Sequence, residues 1–265
     1  MGERLNFPRD TERYRNFVRE STEHPAKLEI RTFAWLVEQY TKPGDTILDP
    51  MSGIGTVHWA ATMGRNTVAI ELVPRFVEIQ RMNIEKLRTD HGFTSPQEPK
   101  LFEGDCRRFL PLSSIGLPSV EAIVFSPPYG SLISGADKGN KLMEEKHIVM
   151  TYDEQIANVG NLSVYPQYLE AMKGIYRKCF ETTKPGGVLV SVTKDYIKAG
   201  RRVWVSRDNL RIMLAAGYVM EDWHTRYTDP KIFQITAQKR REEKGEDKAV
   251  LNIDSEDLLV VRKPL

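Results

Sequence analysis

Cysteine is scarce in this chain. There are two, Cys106 and Cys179, in neither a CxxC pair nor a disulfide framework. That excludes a small disulfide-stapled fold and suits a reducing cytosol. The five histidines (His24, His58, His91, His147 and His224) are scattered, so no metal site is expected. No apolar run approaches the roughly 20 residues needed to cross a bilayer. The opening stretch MGERLNFPRDTERYRNF is charged and has no apolar signal core. The expectation is therefore a cytoplasmic protein without a membrane partner. Gly2 lacks the downstream Ser or Thr of a myristoylation signal. Internal repeats and long low-complexity tracts are absent, and so is the Gly-Lys-Ser/Thr of a P-loop.

What is present suffices for one α/β domain. A chain of 265 residues with 40% hydrophobic content can bury a full core but is short for two domains, so residues 1–265 read as a single unit. The formal net charge is only +2, which excludes a polycation. The charge is uneven, however. Between Lys198 and Arg241 stand Arg201, Arg202, Arg207, Arg211, Arg226, Lys231, Lys239 and Arg240, with few acids among them. Such a strip is either a solvated surface or one that faces a polyanion.

Strand-like and helix-like segments alternate, which predicts a mostly parallel sheet covered by helices. Strands are expected at Thr46–Leu48, Thr67–Ile70, Leu101–Phe102, Glu121–Phe125 and Val188–Val192. Tyr218–Tyr227 and Asp257–Val261 read as a closing antiparallel pair. Helices are expected at Ile54–Met63, Arg75–Leu87, Gln167–Thr183 and Arg207–Ala216, the third stopped by Lys184-Pro185-Gly186-Gly187. Two segments break the alternation. Gly130–Tyr165 is long and polar, and reads as a substrate-binding lid or small recognition insert. Lys239–Lys248 is almost wholly charged and reads as a surface loop.

The chemistry-bearing residues sit at strand ends. Ile47 to Thr56 runs strand, Gly53-x-Gly55 turn, helix, and glycines there let a ligand approach the main chain. A dinucleotide fingerprint is not completed, because position 58 is His58. Glu71 closes the second strand, where a carboxylate can accept from sugar hydroxyls. Asp105 follows the third strand, and is either a ligand acceptor or a helix N-cap. Ser126-Pro127-Pro128-Tyr129 ends the strand EAIVF. Its prolines remove two N–H donors and leave carbonyls at a sheet edge.

Taken together, these residues resemble the amino-methyltransferase branch of the class I methyltransferases. DPMSGIGT is similar to the family's DPFxGxGT, with Met51 for the usual Phe. His24-Pro25-Ala26-Lys27 looks like its HPxK, and SPPY like its (D/N/S)PP(Y/F/W) tetrad. The resemblance covers about His24 to Val192. It implies a Rossmann-like α/β fold: a mostly parallel seven-stranded sheet with helices on both faces. It also implies S-adenosylmethionine as cofactor. The methionine end would be cradled by His24, Pro25, Lys27, Asp49, Pro50, Met51, Ser52, Gly53, Gly55 and Thr56. Glu71 would hold the ribose, and Asp105 with Cys106 beside it the adenine.

The implied reaction is methylation of an exocyclic amino group in nucleic acid. The Ser126 hydroxyl and Pro127 carbonyl would accept from the amino N–H groups, with Pro128 rigidifying the turn. Tyr129 would stack an extruded base. Serine at the head of the tetrad favours cytosine N4 over adenine N6. Pro-Pro in place of Pro-Cys separates the chain from C5-cytosine enzymes. PPYG also resembles the tRNA guanine-N2 enzymes, and glutamine methylation uses a related NPPY. A cofactor-free module that only binds nucleic acid is the non-enzymatic reading. DNA is favoured over RNA, with Lys198, Arg201, Arg202, Arg207 and Arg211 expected on phosphates. A partner restriction endonuclease is a further expectation from the resemblance.

Overall fold

The computed structural model describes residues 2–5, 12–24, 27–128, 159, 162, 164–198, 201–227, 253 and 255–265. Tyr129, Pro25, most of the 130–165 segment and the whole 239–248 loop lie outside the described residues. Strands β1 (Arg4–Leu5), β2 (Thr46–Asp49), β3 (Asn66–Glu71), β4 (Lys100–Glu103), β5 (Val120–Phe125) and β6 (Thr183–Thr193) precede a short antiparallel ribbon. The ribbon is β7 (Tyr196–Lys198) and β8 (Arg201–Val203); β9 (Val219–Tyr227) and β10 (Ser255–Arg262) close the chain. The principal helices are α1 (Glu12–Asn16), α2 (Ile30–Tyr40), α3 (Trp59–Thr62), α4 (Pro74–His91), α5 (Cys106–Phe109), α6 (Tyr165–Thr182) and α7 (Val205–Ala215).

The main sheet runs β1-β9-β10-β6-β5-β2-β3-β4. Strands β2 to β6 pair in parallel, and β10 is antiparallel to both β6 and β9. It is a Rossmann-like sheet of eight strands, where seven were expected. The extra strand is β1, whose Arg4 and Leu5 pair with Thr225 and Arg226. Two paired residues are too few to show a period of two, so the charged N-terminal stretch does not read as a strand.

The central strands are apolar in near-continuous runs because both faces are buried. Leu48, Ile123, Phe125 and Leu189 point to one side, under Tyr168, Met172 and Tyr176 of α6. Ile47, Ala122, Val124 and Val190 point to the other, against Phe33, Leu36 and Val37 of α2. Each such fully buried side chain contributes about 1.5–3 kcal/mol. Helix α2 starts where the Glu29 carboxylate accepts from Thr32 N–H at 2.9 Å.

Two expected elements differ, and one element was not expected. The helix expected over Ile54–Met63 is a 3-10 turn at Thr56–His58 followed by the four-residue α3, because Gly55 enters it in the left-handed region at φ 83°. Lys184–Gly187 does not end α6 as a loop but starts β6, with the register shifting between Val120 and Ala122 opposite it. The β7–β8 ribbon falls on Tyr196–Val203, a stretch whose arginines hide the strand pattern.

This topology decides where a ligand goes. Strand order reverses between β2 and β5: the chain proceeds outward through β3 and β4, then returns to β5 on the other side of β2. Open parallel sheets bind ligands in the crevice outside the carboxyl ends at that switch point. Asp49 ends β2 and Ser126 follows β5 there, side by side.

Candidate active site

The turn after β2 is held by side chains. Gly53 and Gly55 have φ of 53° and 83°. Asp49 Oδ1 accepts from Met51 N–H at 2.9 Å, and the Ser52 hydroxyl donates to the Ile70 carbonyl at 3.1 Å. At the end of β3, Glu71 accepts from Gly53 N–H through Oε2 at 2.6 Å and from Val73 N–H through Oε1 at 2.8 Å. The remaining peptide groups are met from α4. Gln80 Nε2 donates to Ser52 Oγ and to the Gly53 carbonyl at 2.8 and 2.7 Å. Asn83 Nδ2 donates to the Ile54 carbonyl at 2.8 Å. Gln80 and Asn83 are fully buried, where an unmet polar group would cost about 1–3 kcal/mol.

This network fixes the state of His58. With its amide nitrogen committed to the turn, Gln80 presents Oε1 to His58 Nε2 at 3.1 Å. His58 Nε2 therefore donates, and Nδ1 accepts from the Thr67 hydroxyl at 3.1 Å. Burial pushes the imidazole pKa down to about 4, so the ring is neutral and structural. The network also explains the glycines. A Cβ on Gly53 would lie 2.7 Å from His24 Nε2, and one on Gly55 would lie 2.8 Å from both Gln80 Cγ and His58 Cδ2.

A solvent-open cleft with about 920 Å³ of empty space lies over this turn. It brings together His24, Lys27, Asp49, Pro50, Met51, Ser52, Gly53 and Thr56. Glu71, Asp105, Cys106, Ser126, Pro127 and Pro128 complete its wall. Gly55 is not on the wall; it lies behind, against Gln80 and His58. Ile54 of the DPMSGIGT turn also lines the cleft, as do Leu28, Leu72, Gly104 and Val159, which no motif position marks. Val159 belongs to the segment expected to form a lid.

Asp105 is an N-cap as well as a wall residue. Its Oδ1 accepts from Arg107 N–H at 2.9 Å, and the Arg107 guanidinium grips both carboxylate oxygens. Burial works against the charged form, but the Arg107 hydrogen bonds win and hold its pKa below the usual carboxylate value. Cys106 beside it is driven the other way, up to about 12, by burial and by Asp105. A thiol held protonated is no nucleophile. Among the described residues no group of three His, Cys, Asp or Glu could hold a metal ion.

Across the cleft, the β5–β6 ladder stops at Phe125 opposite Ser191, just before the two prolines that have no N–H to continue it. The Ser126 hydroxyl donates to the Val192 carbonyl at 3.1 Å. Its hydrogen thus points to β6, and Ser126 lines the cleft.

The nucleic-acid candidates are spread over the ribbon and α7. Lys198 is in β7, and Arg201, Arg202, Arg207 and Arg211 are exposed. Arg202 Nε is tied to the buried Asp195 at 2.8 Å, while Arg207 and Arg211 approach Asp208 at 3.7 and 3.9 Å. Arg226, part of the same run, is instead paired with Glu256 at 2.7 Å.

Residues 7–82 match the profile of a family described as DNA methylase, of N6 and N4 type. The Type II methyltransferase M.BglI of Bacillus subtilis is 35% identical over 69 residues, 26% of this chain and 20% of that protein. Over this stretch the chain is similar to the N6 and N4 amino-methyltransferases. The match spans a fifth of that relative's length. Among solved structures, TrmN from Thermus thermophilus superposes with a TM-score of 0.52 at 15% identity, over 92% of this chain and 51% of that one. A candidate RNA methyltransferase from Pyrococcus horikoshii gives 0.50 at 16%, over 89% and 83%. Precorrin-6y C5,15-methyltransferase from Geobacter metallireducens gives 0.50 at 11%, over 96% of each chain. At these identities the likeness is one of fold, and the fold serves different substrates.

The cofactor that this likeness implies is S-adenosylmethionine, and the cleft suits it. Two buried carboxylates face a cavity that also has apolar walls from Leu28, Ile54 and Leu72. Burial raises Asp49 to about 8, against the Met51 N–H, and the Glu71 charge adds to it. Burial likewise raises Glu71 to about 7, against the N–H groups of Val73 and Gly53. A cationic ligand relieves both. At the other side of the wall, Lys27 is lowered to about 8 by burial and by Arg13.

A pH dependence follows. Both carboxylates are raised, so the empty fold holds protons that the unfolded chain releases above their model values of 3.8 and 4.5. Stability of the empty fold therefore falls as pH rises from there through about 8. Binding a cation reverses the shifts and expels protons. Cofactor affinity is expected to rise as pH increases towards about 8, with net proton release at neutral pH. Calorimetry in buffers of different ionisation heat measures that release. Proton uptake, or affinity falling over this interval, would count against the assignment.

Proposed function

We propose that this chain is an amino-methyltransferase that methylates an exocyclic amino group of a base in DNA, cytosine N4 before adenine N6. The observation that carries the reading is the placement of Ser126-Pro127-Pro128 at the end of β5, beside the Asp49 turn at the end of β2, in one cleft. When bound, S-adenosylmethionine supplies a methyl group on a sulfonium centre, open to in-line attack by a nitrogen lone pair.

The chain's own residues do the rest. His24, Lys27 and the Asp49–Gly53 turn would hold the methionine end, Glu71 the ribose, and Asp105 with Cys106 the adenine edge. The amino nitrogen of cytosine is a poor nucleophile because its lone pair is delocalised into the ring. An acceptor at Ser126 Oγ and another at the Pro127 carbonyl would take its two N–H groups and favour a pyramidal nitrogen. Fixing that geometry is the main catalytic contribution. Tyr129 would stack the extruded base, and the excess proton would leave to water or through Ser126. The exposed Arg201, Arg207 and Arg211 would contact phosphates, giving a salt-dependent affinity.

Nucleoside mass spectrometry of DNA and RNA from cells expressing the chain, beside cells expressing Ser126→Ala, tests the proposal. N4-methylcytosine in DNA that disappears in the variant is the expected result. Methyladenine alone would move the base assignment, and modification of RNA with none in DNA would overturn the target.

A further inference from the structure

Of the chain's four tryptophans, Trp204 is the exposed one, at 43%. It joins the β7–β8 ribbon to α7, and no catalytic or cofactor role described above uses it. Two guanidiniums lie over its ring: Arg202 at 4.1 Å from the centroid and Arg207 at 5.5 Å. Arg202 is not loosely placed. Its Nε donates to Asp195, whose own side chain is buried and also accepts from Ser206 N–H at 2.9 Å. The indole and Arg202 thus form a pre-ordered unit anchored to the body of the domain.

The position of this unit gives it a partner. The ribbon begins at Tyr196, three residues after β6 ends at Thr193, on the edge where Ser126 follows β5, one strand away. A solvent-facing indole flanked by two cations, with Arg201 and Arg211 exposed nearby, has the chemistry of a strand-binding platform: cations take phosphates and the ring takes a base face. A bare charged surface for counterions would not need a large apolar ring, whose exposure otherwise forfeits burial energy.

We propose that Trp204, ordered by Arg202 and Arg207, is a nucleic-acid contact that stacks on an unpaired base beside the methylation site. This rests on the nucleic-acid reading above, and adds to it a contact that is aromatic in character. No bond is made or broken; the platform grips the strand while the cleft acts on its target.

The test uses the full chain, a fluorescently labelled DNA single strand and the matching duplex, titrated across a salt series. Trp204→Ala should weaken single-strand binding by about ten-fold or more, the order expected for loss of one stacked base. The slope of log affinity against log salt should stay unchanged, because no charge is removed. Trp204→Phe should recover most of the affinity. Arg207→Gln should instead lower the slope by about one phosphate contact. S-adenosylmethionine affinity should equal that of the parent in all three variants. If the parent binds DNA and Trp204→Ala binds as well as the parent, the stacking contact is overturned and the target class stands. If Trp204→Ala is weaker but Trp204→Phe does not recover, the ring is structural and the inference falls. If the parent binds neither single strand nor duplex, both this inference and the nucleic-acid reading fall.

Discussion

A Ser126→Ala variant is expected to bind S-adenosylmethionine within about three-fold of the parent and to transfer its methyl group at least about a hundred-fold more slowly. The two halves of the expectation come from different parts of the cleft. The cofactor side is built on β2, β3 and α4, through Glu71, Gln80 and Asn83, and Ser126 touches none of these bonds. In the proposed reaction Ser126 contributes an acceptor at the end of β5. Its hydroxyl hydrogen is directed at the Val192 carbonyl 3.1 Å away, so the oxygen is oriented before any substrate arrives. Removing one pre-oriented polar group aimed at a reacting centre costs on the order of a hundred- to thousand-fold in turnover. The structural cost is smaller: the hydrogen bond to Val192 is worth about 1 kcal/mol. Single-turnover transfer from labelled cofactor, read beside calorimetric cofactor binding, separates the two. Transfer at the parental rate would remove Ser126 from the chemistry. Loss of cofactor binding together with transfer would mean that the β5 end supports the cofactor rather than the acceptor.

The strand ends that carry this site were legible in the sequence because each is marked by a residue type with few other uses. Consecutive prolines after EAIVF, glycines two apart after TILD, and an acid closing TVAIE all point to the carboxyl edge of a parallel sheet. The fold built from them is the expected one, and the cleft unites the cofactor turn with the tetrad's first three residues. What supports the turn was not legible. Gln80 and Asn83 stand at i and i+3 on α4, facing inward. Helical periodicity treats buried amides on that face as breaks in the apolar stripe, since their partners are peptide groups some 27 to 29 residues away in the chain. Arg13 is the same case: it donates to the Leu28 carbonyl and to Thr56 Oγ1 from a stretch that reads only as charged. Asp105 could be read as a cap or as a ligand acceptor. The structure shows the cap, and places the same carboxylate on the cleft wall. The basic strip was legible as composition but not as pairing, because charge counts do not show that Arg226 meets Glu256 across β9 and β10.

The second large effect tests the supporting network itself. Gly55→Ala is expected to lower the melting temperature by on the order of 10 °C and to weaken cofactor binding at least about ten-fold, although Gly55 is not on the cleft wall. Gly55 sits at φ 83°, where a Cβ costs roughly 1–2 kcal/mol of backbone strain. The new methyl would also lie 2.8 Å from Gln80 Cγ and from His58 Cδ2. Neither neighbour can retreat cheaply. Gln80 is fixed by two donated bonds to Ser52 and Gly53 and one accepted from His58, and His58 is fixed in turn by Thr67. Moving either leaves buried polar groups unmet, at about 1–3 kcal/mol each. Strain and broken bonds sum to about 3–5 kcal/mol, which at 2–4 °C per kcal/mol for a domain of this size gives the expected shift. Because the displaced bonds are those that set Ser52 and Gly53, the damage travels to the cofactor turn. Thermal melting with and without S-adenosylmethionine measures both consequences. A variant that melts within about 2 °C of the parent and keeps its cofactor-induced stabilisation would show that the α4 amides are dispensable to the turn.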